Sequence, residues 1–424
     1  MRVLIVNTSE KTGGAAVAAN RLKDALNHNG VKAKMLVRDK LTDDITVVGL
    51  KGRWRNRLRF LWERWCVFWN LRFSRTNLFA LDIANAGADI TSLPEFKEAD
   101  IIHLSWINQG MLSLSGIRKI LESGKPVVWT LHDLWPISSI CHLSLDCRRF
   151  ETCCSHCQYL PGGGSEHDLA YRVWMKKAKL YKEYDISFVA CSRWLAREAE
   201  ASGLLADQTV STVPNPINTH LFKPGDKAVA RKACGLPTGK RLILFVAQRA
   251  TNVNKGMHFL VDACNRLVDA DSGMSANTAI VILGGRAEDF EGQFRMPVFP
   301  MGYISDENKI VNIYNAVDVF VLPSLSENLP NTIMEAMACG VPCVGFNVGG
   351  IPEMIDHRVN GYVAQAKDSI DLARGIRWIL DEANGNELSV AALSKVLRTY
   401  SRHRVAGQYI EIYDQALAMK NYQI

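Results

Sequence analysis

Two glutamates in one short segment carry the strongest chemical signal in the sequence. Glu327 and Glu335 lie in PSLSENLPNTIMEAMACGVPCVGFNVGGIPEMI, residues 323–355, with seven residues between them. Glu327 follows a predicted strand, and Glu335 lies one helical turn beyond Asn331, just inside the next predicted helix. The N–H groups and positive dipole end of that helix suit a diphosphate, and a carboxylate one turn further can accept hydrogen bonds from paired ribose hydroxyls. By themselves, two glutamates at such positions more often mean only that a helix begins there and that both carboxylates are solvated.

Two basic residues in the same half of the chain are candidates for binding phosphate. Arg249 and Lys255 lie in QRATNVNKG, directly after the predicted strand RLILFVA. They fall at the first turn from strand to helix in this half, and phosphate sites form beyond the carboxyl ends of parallel strands. We therefore predict phosphate binding, the alternative being two solvated surface charges.

Residues that follow strands in the first half are candidates for the same kind of site. Gly13 and Gly14 separate the predicted strand RVLIVN from an amphipathic helix. Glycine permits the backbone to approach a phosphate or an acceptor closely, although a Gly-Gly pair by itself usually marks only a turn. His132, with Asp133 beside it, ends the run PVVWTLHD, where a histidine either contacts a ligand or caps a loop.

The elements that must position these residues repeat as strand, turn and helix. Strand-sized apolar runs recur as KAKMLV, DIIHLS, PVVWTL and ISFVAC in the first half, and as RLILFVA, AIVILGG, VFVLPS and PCVGFN in the second. Their alternation with helical segments predicts parallel, doubly wound sheets of an α/β fold. Residues 213–226, VPNPINTHLFKPGD, suit a linker. We therefore predict domains at 1–215 and 216–400, with a helix at 401–424 that crosses back to the first domain.

The segment at residues 323–355 resembles the donor-binding signature of the large family of retaining glycosyltransferases called family 4. The resemblance continues through GYISDENKIVNIYNAVDVFVLPS upstream and NGYVA downstream. It also includes the linker and the first strand, Gly-Gly pair and helix, so it touches most of the chain from residue 1 to about 380. Where many members have EGFG, this chain has Glu327-Asn328-Leu329-Pro330-Asn331, which looks like a subfamily variant.

The resemblance implies a GT-B fold, in which two Rossmann-like domains face each other across a cleft and C-terminal helices brace the first domain. It also implies a role for each candidate residue. Glu335 would hold the ribose of a nucleotide, and Glu327 would meet hydroxyls of the donor sugar. Arg249 and Lys255 would neutralise the diphosphate leaving group, and His132 would contact the donor sugar. The remaining donor-binding residues would be Gly13, Gly14, Asn328, Leu329, Pro330 and Asn331.

The implied reaction is the transfer of a hexose, with retention, from a nucleoside diphosphate sugar to a hydroxyl acceptor. The expected acceptor is a lipid-linked or surface-polysaccharide glycan of a bacterium. The leaving diphosphate would take the acceptor proton, so catalysis would rest on positioning and electrostatics. Because no Asp-x-Asp motif follows a predicted strand, we expect neither a catalytic metal nor a cofactor. Two alternatives stay open, a nucleotide-sugar epimerase of the same architecture and a non-catalytic sugar-nucleotide-binding subunit.

A cysteine-rich insertion at residues 141–157 follows the His-Asp strand, and it holds five of the eleven cysteines. Four of them match a pattern seen in a subset of the family and could supply the four thiolates of a structural zinc site: Cys141, Cys147, Cys154 and Cys157. His142 or His156 could replace one thiolate, and Cys153 would be spare. Free thiols and disulfides are the alternatives.

Residues 51–75, KGRWRNRLRFLWERWCVFWNLRFSR, interleave eight basic residues and one acid with four tryptophans. At helical spacing this pattern gives an aromatic face flanked by arginines, which can lie in the headgroup region of an anionic membrane. The alternative is a helix packed on the first domain, with arginine stems covering apolar surface.

Charge and hydropathy exclude some classes of protein. The formal net charge of +7 over 424 residues is a modest excess that does not indicate nucleic acid binding. No apolar run reaches the roughly 18 residues of a transmembrane helix. The first residues, MRVLIVNTSE, lack the basic head and long apolar body of a signal peptide. We therefore expect a cytoplasmic protein, which residues 51–75 could hold at the inner face of the cytoplasmic membrane.

Overall fold

The computed structural model describes residues 1–422, which form two compact units. The first unit is Met1–Pro216 together with the chain from Val405, and the second is Ile217–Arg404. Each unit is built on one parallel sheet with helices packed against it. Within the described chain, no helix combines the length and the apolar character needed to cross a bilayer.

The first unit contains seven strands and, before the linker, six helices. The strands are β1 (Arg2–Ser9), β2 (Lys32–Asp39), β3 (Val47–Gly49), β4 (Ile101–Leu104), β5 (Val127–Leu131), β6 (Ser187–Ala190) and β7 (Thr209–Thr212). They form one parallel sheet in the order β3-β2-β1-β4-β5-β6-β7. The helices are α1 (Gly14–Asn27), α2 (Arg53–Asn70), α3 (Pro94–Glu98), α4 (Leu114–Glu122), α5 (Leu169–Glu183) and α6 (Arg193–Ala201), with 3₁₀ turns at Arg149–Glu151 and Pro161–Gly163.

The second unit repeats this architecture with six strands. The strands are β8 (Arg241–Arg249), β9 (Thr278–Gly285), β10 (Val298–Gly302), β11 (Val319–Leu322), β12 (Cys343–Phe346) and β13 (Gly361–Ala364), in the sheet order β10-β9-β8-β11-β12-β13. The helices are α7 (Lys227–Cys234), α8 (Met257–Ala270), α9 (Gly273–Asn277), α10 (Glu307–Ala316), α11 (Asn331–Ala338), α12 (Ile351–Met354), α13 (Ser369–Arg377) and α14 (Gly385–Thr399). Shorter turns lie at Val253–Lys255, Ala287–Phe290 and Trp378–Glu382.

Strand β1 shows why these sequences form central strands. Successive side chains of a strand point to opposite faces of the sheet. Val3 and Ile5 accordingly pack in the core on one face, and Leu4 and Val6 pack in the core on the other. A parallel sheet covered on both faces requires such continuous apolar runs. The two parallel, doubly wound sheets expected from the sequence are confirmed.

The last helix, α15 (Arg402–Tyr422), supplies part of the core of the first unit. Tyr409 and Tyr413 pack in the cluster on the face of the sheet that holds Val3 and Ile5. The Tyr413 hydroxyl is hydrogen-bonded to Nδ1 of His103 at 2.6 Å. These buried polar groups are paired with each other, so this contact costs no lost hydrogen bond. The expectation that the C-terminal end braces the first domain is confirmed.

Candidate functional site

In the second unit, the loops after β8 and β11 form one surface. The two strands are neighbours in the sheet, so their carboxyl ends lie side by side. Asn254 joins the loops, because its backbone carbonyl accepts a hydrogen bond from the N–H of Leu325 at 2.8 Å and its side-chain amide donates to the carbonyl of Ser326 at 2.9 Å. Ligands of open parallel sheets bind at such strand ends.

Lys255 and Glu327 form an ion pair across these two loops. Nζ of Lys255 contacts Oε1 of Glu327, and the hydroxyl of Ser324 donates to the same oxygen at 3.0 Å. The two side chains are 27% and 13% exposed, so the pair is partly withdrawn from solvent while still accessible. It presents an ammonium group that can meet phosphate oxygens and a carboxylate that can meet sugar hydroxyls.

Two glycines allow the backbone around this ion pair to pack closely. Gly256 has φ +70°, and a Cβ at this position would lie 1.8 Å from the carbonyl oxygen of Pro323. Gly349 has φ +55°, and a Cβ there would lie 1.6 Å from the carbonyl oxygen of Glu327. Only glycine satisfies both the backbone angle and the close approach. The placement of Lys255 and Glu327 therefore depends on two contacts between main chains.

Glu335 lies within α11, and Tyr314 of α10 holds its carboxylate. Glu335 is 9% exposed, and the Tyr314 hydroxyl donates to its Oε2 at 2.9 Å. Burial and the neighbouring carboxylate raise the pKa of Tyr314, so the hydroxyl keeps its proton. Sequence reasoning found Glu335 but missed Tyr314. The available signal was the position of Tyr314 among the apolar residues of the helical run IVNIYNA.

The residues before Glu335 lead into the N-terminus of α11. Leu329 and Pro330 are buried, and the carbonyl of Asn328 accepts a hydrogen bond from the N–H of Gly350 at 2.9 Å. The helix begins at Asn331. The first N–H groups of any helix have no partner within it, and they carry the positive end of its dipole. The segment Glu327–Asn331, which differs from the EGFG of many family members, therefore still leads into a helix N-terminus suited to an anion.

Arg249 ends β8 and lines an open cavity of the second unit. The cavity has a volume of about 850 Å³ and is also lined by Gln248, Thr251, Asn252 and Tyr303. All five lining residues are exposed, so this is an open depression of the surface. Arg249 is the last residue of β8, and Lys255 lies six residues further along the chain.

In the first unit, His132 and the glycine pair follow β5 and β1, which lie on either side of β4. Gly13 has φ +92° with open space where a side chain would be, and Gly14 begins α1. Nε2 of His132 lies 2.9 Å from the hydroxyl of Ser105, which follows β4. Burial lowers the pKa of His132 to about 4, so its imidazole is neutral at pH 7. A neutral imidazole can exchange hydrogen bonds with a sugar hydroxyl.

Asp133 belongs to a buried charge cluster that sequence reasoning missed. Its Oδ2 accepts hydrogen bonds from Nε1 of Trp106 at 2.8 Å and from Nδ1 of His142 at 2.7 Å. Nε2 of His142 lies 2.7 Å from Oδ2 of Asp82, whose other oxygen contacts Arg64. Both ring nitrogens of His142 face carboxylates, so both carry a proton. We refer to Arg64, Asp82, Asp133 and His142 as the His142 cluster.

The surroundings of the His142 cluster maintain its charges. Burial lowers the pKa of His142, but Asp133 and Asp82 outweigh that effect and raise it to about 10. Burial raises the pKa of Asp133, but His142 and the N–H donors around the carboxylate lower it overall. The cluster therefore fixes the loop that carries His132 through opposite charges that are joined by hydrogen bonds.

The four predicted zinc ligands, Cys141, Cys147, Cys154 and Cys157, are free thiols. Burial, together with the neighbouring thiols, raises the pKa of Cys141 and of Cys154 to about 12. Across residues 1–422, no three or more His, Cys, Asp or Glu side chains are arranged to hold a metal ion. The suggestion that His142 could replace a thiolate is wrong, because both its nitrogens are bound to carboxylates. Zinc binding by the thiols stays a prediction.

Two family models match the chain in succession. The model described as Glycosyltransferase Family 4 matches residues 12–221, and the model described as Glycosyl transferases group 1 matches residues 240–382.

Similar curated proteins include the D-inositol 3-phosphate glycosyltransferase of Saccharomonospora viridis. It is 27% identical over 224 residues, which cover 50% of this chain and 52% of that protein. The N-acetyl-alpha-D-glucosaminyl L-malate synthase of Bacillus anthracis is 31% identical over 116 residues, which cover 27% of this chain and 30% of that protein. The chain thus spans about half the length, or less, of these relatives.

Solved structures resemble the chain over nearly its whole length. Sucrose-phosphate synthase from Thermosynechococcus elongatus has a TM-score of 0.68 with 19% identity, covering 99% of each chain. The Anabaena protein HepE, solved in complex with UDP-glucose, has a TM-score of 0.66 with 17% identity, covering 98% of this chain and all of that one.

Two Rossmann-like units of this kind, with these structural neighbours, define a GT-B fold. The two family matches occupy both units and together take in most of the chain. The chain belongs to the family 4 glycosyltransferases.

Proposed function

We propose that this protein transfers a hexose from a nucleoside diphosphate sugar to a hydroxyl group of a glycan acceptor, with retention of configuration at the anomeric carbon. The observation that carries the proposal is the Lys255–Glu327 ion pair. It sets a cation and a carboxylate side by side at a strand edge, where a diphosphate and its sugar require them. The names of the curated relatives support the same type of reaction.

The donor is held mainly by the second unit. The diphosphate binds the N-terminus of α11, with Lys255 and Arg249 as counter-charges. The ribose hydroxyls donate to Glu335, whose carboxylate Tyr314 already orients. The structurally similar HepE was solved with UDP-glucose, which supports a nucleoside diphosphate sugar as donor.

The chemical step needs no dedicated protein base. The bond between the anomeric carbon and the diphosphate oxygen breaks, and the acceptor oxygen forms its bond to the same carbon from the same face. The acceptor proton goes to the leaving diphosphate oxygen. Lys255 stabilises the negative charge that develops on the diphosphate. Glu327 holds hydroxyls of the donor sugar, so the reacting atoms stay in place.

The acceptor that we propose is a lipid-linked or surface-polysaccharide glycan. One structural neighbour, WaaG, is described as involved in lipopolysaccharide biosynthesis, which supports an acceptor of this class. The reaction uses no cofactor, and nucleic acid is not a partner.

Isothermal titration with nucleoside diphosphates and their sugars tests the donor site. We expect at least one nucleoside diphosphate to bind. Glu335→Ala should weaken that binding at least tenfold, because each charge-assisted hydrogen bond contributes about 1.5–3 kcal/mol. Tyr314→Phe should weaken it less, and Glu382→Ala, on an exposed part of the same unit, should leave it unchanged. Unaltered binding to Glu335→Ala would mean that the ribose lies elsewhere.

A second measurement distinguishes transfer from the alternatives. The binding donor is incubated with and without candidate acceptors, and the products are identified by NMR. Glycoside formation with release of the nucleoside diphosphate supports the proposal. An isomeric nucleotide sugar formed without acceptor would identify an epimerase, and an unchanged donor with every acceptor would identify a binding subunit.

A further inference from the structure

Helix α2 exposes a continuous stripe of large apolar side chains. The tryptophans of this stripe are between 51% and 76% exposed, and two exposed leucines lie between them. Their spacing keeps all six within about 100° of the helix circumference. The six residues are Trp54, Leu58, Leu61, Trp62, Trp65 and Trp69. An exposed apolar surface of this kind marks an interaction site.

The opposite face of α2 anchors the helix to the first unit. Val67 is buried in an apolar cluster with Leu81. Oε1 of Glu63 accepts hydrogen bonds from the backbone N–H groups of Ile83 at 3.1 Å and Ala84 at 2.7 Å. Arg64, on the same side, pairs with Asp82 of the His142 cluster. The orientation of the helix is therefore fixed, and the tryptophan stripe faces solvent.

The charges around the stripe have one sign. Residues 51–75 contain one acid, Glu63, which is buried, and burial together with Asp82 raises its pKa to about 8. Arg55 and Arg57 lie on either side of the stripe by their helical positions. Six basic side chains of the segment are exposed, and none of them has an ion-pair partner within the described chain: Lys51, Arg53, Arg55, Arg57, Arg72 and Arg75.

We propose that this surface, the exposed side chains of residues 51–75, binds an anionic lipid bilayer. The tryptophan stripe enters the headgroup region, and the flanking basic side chains meet lipid phosphates. Tryptophan is the residue type enriched at membrane interfaces, and a helix that is apolar on one side and basic at its flanks lies in the interface plane.

Charge complementarity favours a bilayer over a second copy of the chain. Two copies joined through this surface would bring unpaired basic side chains against each other, which disfavours association. An anionic bilayer instead supplies negative charge along the whole length of the helix. The inference does not depend on the proposed transferase activity, because it concerns only the surface of α2.

Vesicle sedimentation of the full chain tests the inference directly. The vesicles are phosphatidylcholine alone, or phosphatidylcholine mixed with phosphatidylglycerol, at low and high salt. We expect binding to the anionic vesicles that weakens with salt. Arg55→Glu with Arg57→Glu should weaken it about 30-fold or more, since each basic residue near the surface contributes about a fivefold change. Trp62→Ala with Trp65→Ala should weaken it at both salt concentrations.

Matched controls exclude general effects of substitution. Lys176→Glu with Lys232→Glu changes the same charge at other exposed positions, and Val390→Ala removes exposed apolar surface from α14. Both controls should bind as the unmodified chain does, and circular dichroism should show all variants folded. The inference is overturned by equal binding to both vesicle types or by binding to neither. It is also overturned if the α2 substitutions dissociate a dimer in ultracentrifugation while vesicle binding is unaffected.

Discussion

The two units position their candidate residues in different ways. In the second unit, the segment between β11 and α11 is short, residues 323–330, and Lys255 lies six residues after the end of β8. In the first unit, residues 132–168 intervene between β5 and α5. The short segments are placed by the order of strands in the sheet. The long segment is held by partners distant in sequence, such as Asp82, which contacts His142 of the segment.

The difference extends to electrostatics. The Lys255–Glu327 pair is accessible, so a ligand can replace either partner. The carboxylate of Asp82 in the His142 cluster is fully buried, and the two cations of the cluster pair with its two carboxylates. We infer that the first arrangement serves binding and chemistry, and that the second serves to hold a loop. Substitutions in the two places should therefore have separable effects.

The largest expected effect is on turnover, in the second unit. Lys255→Ala should lower kcat about 100-fold or more, because it removes the cation beside the leaving diphosphate. Glu327→Ala should lower kcat more than it raises the KM of the donor, since its contacts change during transfer. Both are measured as release of nucleoside diphosphate, with Lys309→Ala on exposed α10 surface as the control. A Lys255→Ala protein with turnover within twofold of the original would contradict the assignment.

An intermediate effect is expected on stability, in the first unit. His142→Ala removes the histidine that pairs with the carboxylates of Asp82 and Asp133, and should cost about 3 kcal/mol of unfolding free energy. Nucleoside diphosphate binding by the second unit should be unchanged. Urea unfolding and calorimetry measure the two quantities, with His220→Ala as the control. Weakened nucleotide binding together with intact stability would show that the comparison of the two units is wrong.

The same variant makes a prediction about pH. The folded state raises the pKa of His142 from 6.5 to about 10. A raised pKa of this kind stabilises the folded protein fully below pH 6.5, and the stabilisation is lost as pH rises towards 10. The difference in unfolding free energy between the original protein and His142→Ala should therefore shrink between these values.

The smallest expected effect concerns the cysteine-rich insertion. If the predicted zinc is bound, elemental analysis of protein purified without added metal should give about one zinc per chain, and a chelator should lower Tm by a few degrees. Cys154→Ser should reduce the zinc content, while Cys153→Ser should not. A small fraction of one zinc per chain would show that the thiols are free.

Central strands could be predicted from the sequence, and edge strands could not. The nine strands found as apolar runs all have neighbours on both sides. The four that were missed, β3, β7, β10 and β13, are the edges of the two sheets. An edge strand such as β7 is short and has no buried residue, so it lacks the apolar run that identifies a central strand.

The residues of the candidate site also divide into those that could be predicted from the sequence and those that could not. Glu327, Glu335 and Lys255 could be identified because each lies close in sequence to the end or start of a readable element. Tyr314 and Asp82 could not, because their significance comes from contacts across 21 and 60 positions of the chain. The local spacing of apolar residues carries no information about contacts between residues so far apart in the sequence.

The position of α15 has a consequence for the order in which the protein is made. Tyr409 and Tyr413 complete the core around Val3 and Ile5, yet a ribosome reaches them only after translating all of Ile217–Arg404. The nascent first unit therefore lacks part of the cover of one face of its sheet, which α1 also covers, while the second unit is synthesised. Because nascent domains generally fold as they emerge, the first unit begins to fold before the second unit but completes its folding after it.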